Sequence, residues 1–402
     1  MDFKSDICVI GNGAIGKTAA LGFAQAGLSV TLLTPAPARA AAAAAPEAWD
    51  ARVYALNQVA RKLLRDLKVW DALDQSRIAP VDAMAIHGDG GERGGALEFD
   101  AYSARSDALA WIVEDSNLNH ALDAALKFAP NLRLVAGRAT HLRNSADHAT
   151  VELENGDALS AALVVGADGG QSWVRAQCDI GIDYRSYRQR AIVANFSCGA
   201  PHHGVAHQWF TSHEGIVALL PLPGQRVSLV WSAPDMLADA LLNEPLAQLS
   251  QRLTALPGHK LGQLSALQPE AIKALPLALI RVHTMTAPRV ALAGDAAHVV
   301  HPLAGQGMNL GFADVAMLIK TVMQREPHRD CGDARVLGRY ARARKEDILT
   351  MQLATDGLER LFAIEFEPVS IGRNIGLNLV NKLPFLKRGL MSRALGKTDD
   401  VV

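Results

Sequence analysis

The sequence predicts an α/β protein: a Rossmann-like dinucleotide-binding domain interleaved with a β-sheet domain, with a helical C-terminus. Three observations predict it. A strand, a glycine turn, a helix and a second strand follow one another from Ile7. Strand-like alternation breaks into the chain between residues 80 and 110 and again between 185 and 233. From about Asp314 onward the pattern is mostly helical. The chain's 402 residues suffice for two domains with cores of their own.

Taken in order, Ile7 to Ile10 is a short apolar strand, Gly11 to Gly16 a glycine-rich turn, and Lys17 to Ala26 a helix stopped by Gly27. Ser29 to Leu33 is the next strand. The alanine run Ala40 to Ala45, closed by Pro46, reads as a loop. Val53 to Leu67 is helical by period. The tract Gly88-Asp89-Gly90-Gly91-Glu92-Arg93-Gly94 reads as a surface hairpin loop. Asn117 to Phe128 is a helix and Leu132 to Val135 a strand. Thr150 to Leu153 and Ala158 to Ala161 flank an Asn155-Gly156 hairpin signal. Leu163 to Val165 leads into Gly166-Ala167-Asp168-Gly169. Val290 to Ala293 reads as a buried strand and Phe312 to Met323 as an amphipathic helix.

Composition narrows the class. Hydrophobic residues make up 49% and charged residues 20%, an ordinary globular balance. A formal net charge of −1 argues against a general nucleic-acid binder. Cys8, Cys178, Cys198 and Cys331 show no metal-type spacing, so no metal site is expected and the thiols read as reduced, in a cytoplasmic protein. No signal peptide is read at Met1-Asp2-Phe3-Lys4. No apolar run reaches the ~18 residues that suggest a membrane span.

Gly11-Asn12-Gly13-Ala14-Ile15-Gly16-Lys17-Thr18 satisfies two patterns, the dinucleotide fingerprint and the phosphate loop of nucleotide triphosphatases. Both place backbone N–H groups at a helix N-terminus, where phosphate binds. The triphosphatase reading needs a magnesium-ordering acid, and Asp168 or Asp295 could pose as one. Neither sits in a triphosphatase-like context, so Lys17 reads as an incidental surface residue. Gly294-Asp295 follows a strand, where a carboxylate can accept from a ribityl hydroxyl. Gly305-Gln306-Gly307-Met308-Asn309 then opens a helix whose free N–H groups and positive end suit an electron-rich ring. A flavin needs both. Where the fingerprint expects an acid for the ribose, this chain has Thr34.

These segments resemble those of the aromatic-ring hydroxylases, flavoprotein monooxygenases of class A with a glutathione-reductase-type FAD domain. Gly294 to Gly311 resembles their second FAD fingerprint. Gly166-Ala167-Asp168-Gly169, running on to Arg175, resembles their Asp-Gly motif. The three motifs occur in the family order. The resemblance narrows to the ubiquinone-biosynthesis hydroxylases at Asp50 to Asn57, Trp111 to Asp115, Gly215 to Leu222 and Arg373 to Lys387. Asp115 and Ser116 depart from that group, which often has Asn and Arg there.

The resemblance implies a partition into FAD-binding parts at 1–75, 111–182 and 276–335, substrate-domain parts at 76–110 and 183–275, and C-terminal helices at 336–402. It implies FAD contacts from Gly11, Gly13, Ala14, Ile15, Gly16, Thr34, Asp168, Gly169, Gly294, Asp295, Pro302, Gly305, Gln306, Gly307, Met308 and Asn309, with Arg52 against the FAD phosphates. NAD(P)H is the implied reductant, O2 the co-substrate, and a prenylated phenol or quinone precursor the implied substrate. His298, His301 and Pro302 are catalytic candidates, with a structural role favoured for the histidines. His207, Gln208, Phe210, Leu219 and Pro221 are candidates for the substrate pocket, with core packing as the alternative. Competing readings are a hydroxylase of a small soluble aromatic and a non-catalytic flavin-binding subunit of a biosynthetic complex.

The stretch 371–397 holds Arg373, Lys382, Lys387, Arg388, Arg393 and Lys397 and no acid, set among large apolar residues. It is expected to touch the inner face of a membrane peripherally. A packed helix or a docking surface in a complex would use the same features.

Overall fold

The computed structural model describes residues 2–35, 49–89, 94–211, 213–268, 272–364 and 367–382. The chain opens on β1 (Asp2–Ile10), α1 (Ala14–Gln25) and β2 (Val30–Thr34), with β1 and β2 parallel. Ile7, Val9 and Leu32 are fully buried, each side chain contributing about 1.5–3 kcal/mol. The helix starts three residues before the sequence expectation. Gly16 lies in its first turn, against the carbonyl of Gly11.

The next elements are β3 (Val53–Leu56) and α2 (Gln58–Asp66), which replace the single helix expected over Val53 to Leu67. The cause is cross-strand pairing. Val53 lies opposite Glu114 and Leu56 opposite Trp111. Asn57 then starts the helix, its side chain accepting from the N–H of Ala60 at 3.0 Å. β4 (Ile78–Val81), β5 (Ala83–His87), β6 (Ala96–Asp100) and β7 (Ala110–Glu114) precede α3 (Asp115–Lys127).

β8 (Leu132–Ala136), β9 (Ala139–Asn144), β10 (Ala149–Leu153) and β11 (Ala158–Gly166) follow. The Asn-Gly hairpin pairs Glu152 with Ala158, with Gly156 at φ 84°. The two apolar segments after it form one strand, β11. After α4 (Trp173–Gln177) come β12 (Ile182–Cys198), β13 (Val205–Thr211), β14 (Gly215–Leu222) and β15 (Arg226–Pro234), antiparallel neighbours in the sheet order β12-β15-β14-β13.

Two short helices, α5 (Asp235–Asn243) and α6 (Leu246–Thr254), lead to β16 (Leu264–Ala266), β17 (Lys273–Val282), β18 (Thr286–Ala287), β19 (Val290–Leu292) and β20 (His298–Val299). The chain then turns helical: α7 (Gln306–Met323), α8 (Ala334–Ala363) and α9 (Glu367–Lys382).

The described strands form three sheets. One has the order β18-β19-β11-β1-β2-β8, with β9 and β10 attached through β11. The second runs β20-β17-β12-β15-β14-β13-β5-β6, with β16 against β12. A small sheet, β3-β7-β4, joins them. Each large sheet takes strands from separated stretches of chain, so the two are interleaved. The Ala40 to Ala45 run lies outside the described residues.

The C-terminal stretch differs from its sequence expectation. Arg373 is buried, not on an exposed basic face. It pairs with Asp89 and donates to the carbonyls of Leu361, Phe362 and Ile364 at 2.8, 3.2 and 3.0 Å. Asn374, Asn378 and Asn381 accept from the N–H groups of Gly95, Ala96 and Glu98 at 2.9, 3.0 and 3.3 Å. These asparagines recur on one face of α9 and fasten it along β6, while Gly90 to Arg93 of the expected surface loop lie outside the described residues. Lys387, Arg388, Arg393 and Lys397 lie outside the described residues. Arg373→Ala is expected to lower the unfolding free energy by about 3 kcal/mol, the scale for breaking a buried pair. A urea midpoint equal to wild type would show that this attachment contributes nothing.

Candidate active site

The site is organised by a carboxylate outside the sequence motifs. Asp314, on α7, is fully buried. It accepts from the Gly294 N–H at 3.0 Å, His298 Nε2 at 2.6 Å and Arg344 Nε at 2.8 Å. Burial pushes its pKa up, but the charges and hydrogen bonds of His298 and Arg344 outweigh that and hold it below the usual carboxylate range. Asp314 thereby fixes both ends of the turn that presents Asp295. The Asp295 carboxylate stands open at the cleft surface, yet the surrounding protein desolvates it enough to raise its pKa against the opposing charges of His298 and Arg52.

The first motif wraps tightly on itself. Gly11 takes φ 135°, and a Cβ there would strike the carbonyl of Ala167 in the second motif. Gly13 is different: a Cβ there would meet no protein atom within 4 Å. Packing requires Gly11 and Gly16 but leaves the space over Gly13 free, as a diphosphate approaching the α1 N-terminus requires. Ala14 begins that helix, and Ile15 packs under Gly294 and Gly311, which binds the first motif to the third. Lys17 is buried, not on the surface. Its ammonium bonds Asn119 at 3.0 Å and pairs with Asp123 at 2.7 Å. It ties α1 to α3 and is already occupied there.

Asp168 accepts from Ser172 Oγ at 2.5 Å and Val174 N at 3.0 Å, so its carboxylate shapes the start of α4. Gly169 follows at φ 85°. Arg175 then donates to the carbonyls of Gly170 and Ala296 at 2.7 and 2.9 Å, joining second motif to third. Gly11, Thr34 and Asp168 share one groove with Arg138 and Glu154. The Thr34 hydroxyl lies 3.5 Å from the carbonyl of Val135.

Asn309 secures the other side of the cleft. Its Oδ1 accepts from Asn57 N at 3.0 Å and its Nδ2 donates to Ala55 O at 2.9 Å. The strand that follows Arg52 is thus pinned to the start of α7. Buried Glu114 anchors its near end, accepting from Asp50 N at 2.6 Å while paired with Arg77. Gly305 caps α7 at φ 64°, with room for only Ala55 beside it.

Arg52, Asp295, Pro302, Gly305, Gln306, Gly307, Met308 and Asn309 line one cavity of about 510 Å³. Its far wall is the second sheet. Gln208 and Phe210 line it, as do Met84, Ile86, Ile216 and Leu220. Strand alternation turns the other candidates away. Leu219 belongs to the core on the opposite face, and Pro221 is not in the lining. His207 borders the cavity, but its ring stacks on His87 and on Trp209, part of that opposite core.

His298 and His301 are buried behind the lining. His301 donates from Nε2 to Gln189 Oε1 at 3.2 Å, and Gln189 donates onward to Glu359 at 3.0 Å. Burial holds the His301 pKa down at about 4. Among the described residues no group of His, Cys, Asp and Glu is arranged to hold a metal ion. Sequence reading missed Asp314, Arg344 and Glu359. The partners that tie them into the site lie 16 or more residues away, beyond any motif.

Comparison with known proteins agrees with this geometry. The family model "FAD binding domain" matches residues 4–349. "Ubiquinone hydroxylase UbiL" of Rhodospirillum rubrum is 34% identical over 398 residues, covering 98% of this chain and 90% of its own. The "3-demethoxyubiquinol 3-hydroxylase" of Escherichia coli is 34% identical over 401 residues, covering 98% of each. This chain belongs to the ubiquinone-hydroxylase family of FAD-dependent monooxygenases. Its fold is also that of p-nitrophenol 4-monooxygenase from Pseudomonas putida, with a TM-score of 0.75, 18% identity and coverage of 99% of this chain and 100% of the other. A Klebsiella pneumoniae HpxO solved with FAD and uric acid has a TM-score of 0.74 at 19% identity, covering 98% and 97%.

FAD suits this site. The clear space above Gly13, the open carboxylate of Asp295 and the 302–309 turn facing the cavity match its diphosphate, ribityl chain and ring. Asp295→Ala is expected to weaken FAD binding about tenfold or more, by loss of a charge-assisted hydrogen bond, while Lys17→Ala leaves FAD affinity intact. Flavin fluorescence titration measures both, and equal affinity for Asp295→Ala and wild type would refute the assignment.

His301 should also leave a mark on stability. Its folded pKa of about 4 lies below the ordinary 6.5, so the unfolded chain binds the proton first as pH falls. Its contribution is intact above pH 6.5 and is lost between 6.5 and about 4, by up to about 3 kcal/mol. His301→Gln should flatten the unfolding free energy across that window relative to wild type. Parallel pH profiles would disprove the assignment.

Proposed function

We propose that this protein hydroxylates the aromatic ring of a prenylated phenol in ubiquinone biosynthesis, with FAD as cofactor, NAD(P)H as reductant and O2 as co-substrate. One observation carries the reading: a largely apolar cavity of about 510 Å³ lies directly against the 302–309 turn. Its sheet wall offers two buried polar side chains, Gln208 and Ser232. A prenylated phenol divides the same way, into a hydroxylated ring and a hydrocarbon tail. Relatives named for demethoxyubiquinol and ubiquinone hydroxylation support the choice.

FAD, when bound, supplies reduction by NAD(P)H and delivery of one oxygen atom from O2 to the ring. Gly11, Gly13 and Gly16 would admit its diphosphate, and Asp295 would accept from its ribityl chain. Asn309, Asn57 and Asp314 hold the turns that present these groups. The apolar wall excludes water. The rings of His207, His298 and His301 are turned away from the cavity or lie behind it, and an electron-rich phenol needs little activation by a base. Orientation of the phenol falls to Gln208.

The tail makes a membrane the reservoir of such a substrate, and the protein works at its surface. No described helix is long and apolar enough to cross one. With Arg373 buried, Lys382, Lys387, Arg388, Arg393 and Lys397 remain as the cations of 371–397 that would attract anionic lipid.

The test is oxygen uptake by the FAD-loaded protein with NADPH and a short-chain prenylated phenol, with product mass. Uptake matched by a gain of one oxygen atom is expected. Gln208→Leu should lower kcat/KM about tenfold, the scale of one hydrogen bond, and raise NADPH oxidation without product. Absence of uptake would favour a non-catalytic flavin subunit. Equal turnover of tailless and prenylated phenols would favour a soluble aromatic substrate.

A further inference from the structure

A second hollow, of about 800 Å³, opens from the first glycine turn. Gly11 lines it, as do the ends of β1, β2 and β8 at Ile10, Thr34 and Ala136. These three strands are parallel, and open parallel sheets bind their ligands beyond the carboxyl ends of the strands. The cavity at the 302–309 turn accounts for the ring of FAD, which leaves this groove for its adenosine.

Two carboxylates line the groove, those of Asp168 and Glu154. Asp168 has both oxygens engaged, one by Ser172 Oγ and one by Val174 N. Glu154 is exposed, and its carboxylate has no ion pair or hydrogen bond among the described residues. Thr34 stands where the fingerprint has its acid. It offers a single hydroxyl, which lies 3.5 Å from the carbonyl of Val135.

Backbone bonds lead from the one position to the other. Gly137 N donates to the carbonyl of Thr34, and Glu154 N to the carbonyl of Arg138, both at 2.9 Å. Glu154 thus lies across the end of β8 from Thr34, on the hairpin between β10 and β11. That hairpin is tied at its tip. Asn155 Oδ1 accepts from Asp157 N at 3.0 Å, and Gly156 N donates to Leu153 O at 2.9 Å. The base of the Glu154 side chain is therefore fixed while its carboxylate stays available to the groove. A ribose presents two adjacent hydroxyls. A carboxylate accepts from both at once and with charge assistance, which a threonine hydroxyl lacks.

We infer that Glu154 accepts from the adenosine ribose hydroxyls of FAD and so does from the hairpin what the fingerprint's acid does from the end of β2. The inference rests on FAD as the cofactor, whereas it is independent of the aromatic substrate.

The experiment titrates the full chain, freed of flavin, with FAD and with an FAD analogue that lacks both hydroxyls of the adenosine ribose. Flavin fluorescence reads the affinities. Wild type should bind FAD about tenfold more tightly than the analogue, the scale of a charge-assisted hydrogen bond. Glu154→Gln should lose that preference, binding FAD about tenfold more weakly and the analogue unchanged, with its melting temperature kept. Thr34→Glu/Glu154→Gln should regain the preference, because the acid is then back on β2. A wild type that binds both ligands alike would overturn the inference, as would a Glu154→Gln that still prefers FAD. Equal weakening of both ligands by Glu154→Gln would assign Glu154 to the hairpin's shape and also overturn it. A double variant that shows no preference would overturn the exchange of the acid between strand and hairpin. A wild type that takes up neither ligand would fail the cofactor assignment itself, a result distinct from all of these.

Discussion

The buried carboxylate of Asp314 is the constraint on which the cofactor cleft depends. A charge fully removed from water is stable only when paired and hydrogen-bonded. Here the partners are His298, Arg344 and the backbone of Gly294. One comes from the 298–301 segment, one from α8 and one from the turn after β19. None can shift without leaving a charge or an N–H unmatched in the core. Asp295 therefore faces the cleft because Asp314, nineteen residues on, cannot move.

A second layer of side chains joins this rigid centre to the rest. Asn309 gives both ends of its amide to the backbone of residues 55–57. Arg175 bridges Gly170 and Ala296. Ile15 fills the contact between the first glycine turn and the third motif. Four stretches of chain far apart in sequence thus meet as one body. The groups that remain free, notably the Asp295 carboxylate and the space above Gly13, are those facing the cleft.

Much of this was legible in the sequence, for local reasons. Glycines at Gly11, Gly13 and Gly16, an Asp after a strand and an Asn-Gly turn each dictate backbone geometry within a few residues. What sequence reading missed depends on partners distant along the chain. Val53 to Leu56 has a helical period, but β7 pairs with it and makes it a strand. Lys17 looked superficial because Asn119 and Asp123, which enclose it, come a hundred residues later. Arg373 looked like part of a basic face because nothing local announces Asp89 as its partner. In the second sheet, alternation identifies two faces but cannot say which one the cavity takes. Gln208 and Phe210 proved to face it, and Leu219 the opposite core.

The asparagine row of α9 has a consequence for the chain's behaviour outside its chemistry. β6 ends the second sheet, and an edge strand offers unpaired N–H groups to any passing strand. Here a helix occupies them with side-chain carbonyls at three positions. The cover is discontinuous and comes from the last described helix of the chain. Proteolysis or premature termination ahead of Asn374 would uncover a sheet edge in a molecule otherwise folded. The damage would appear first as sheet-to-sheet self-association, while the distant glycine turns kept their shape.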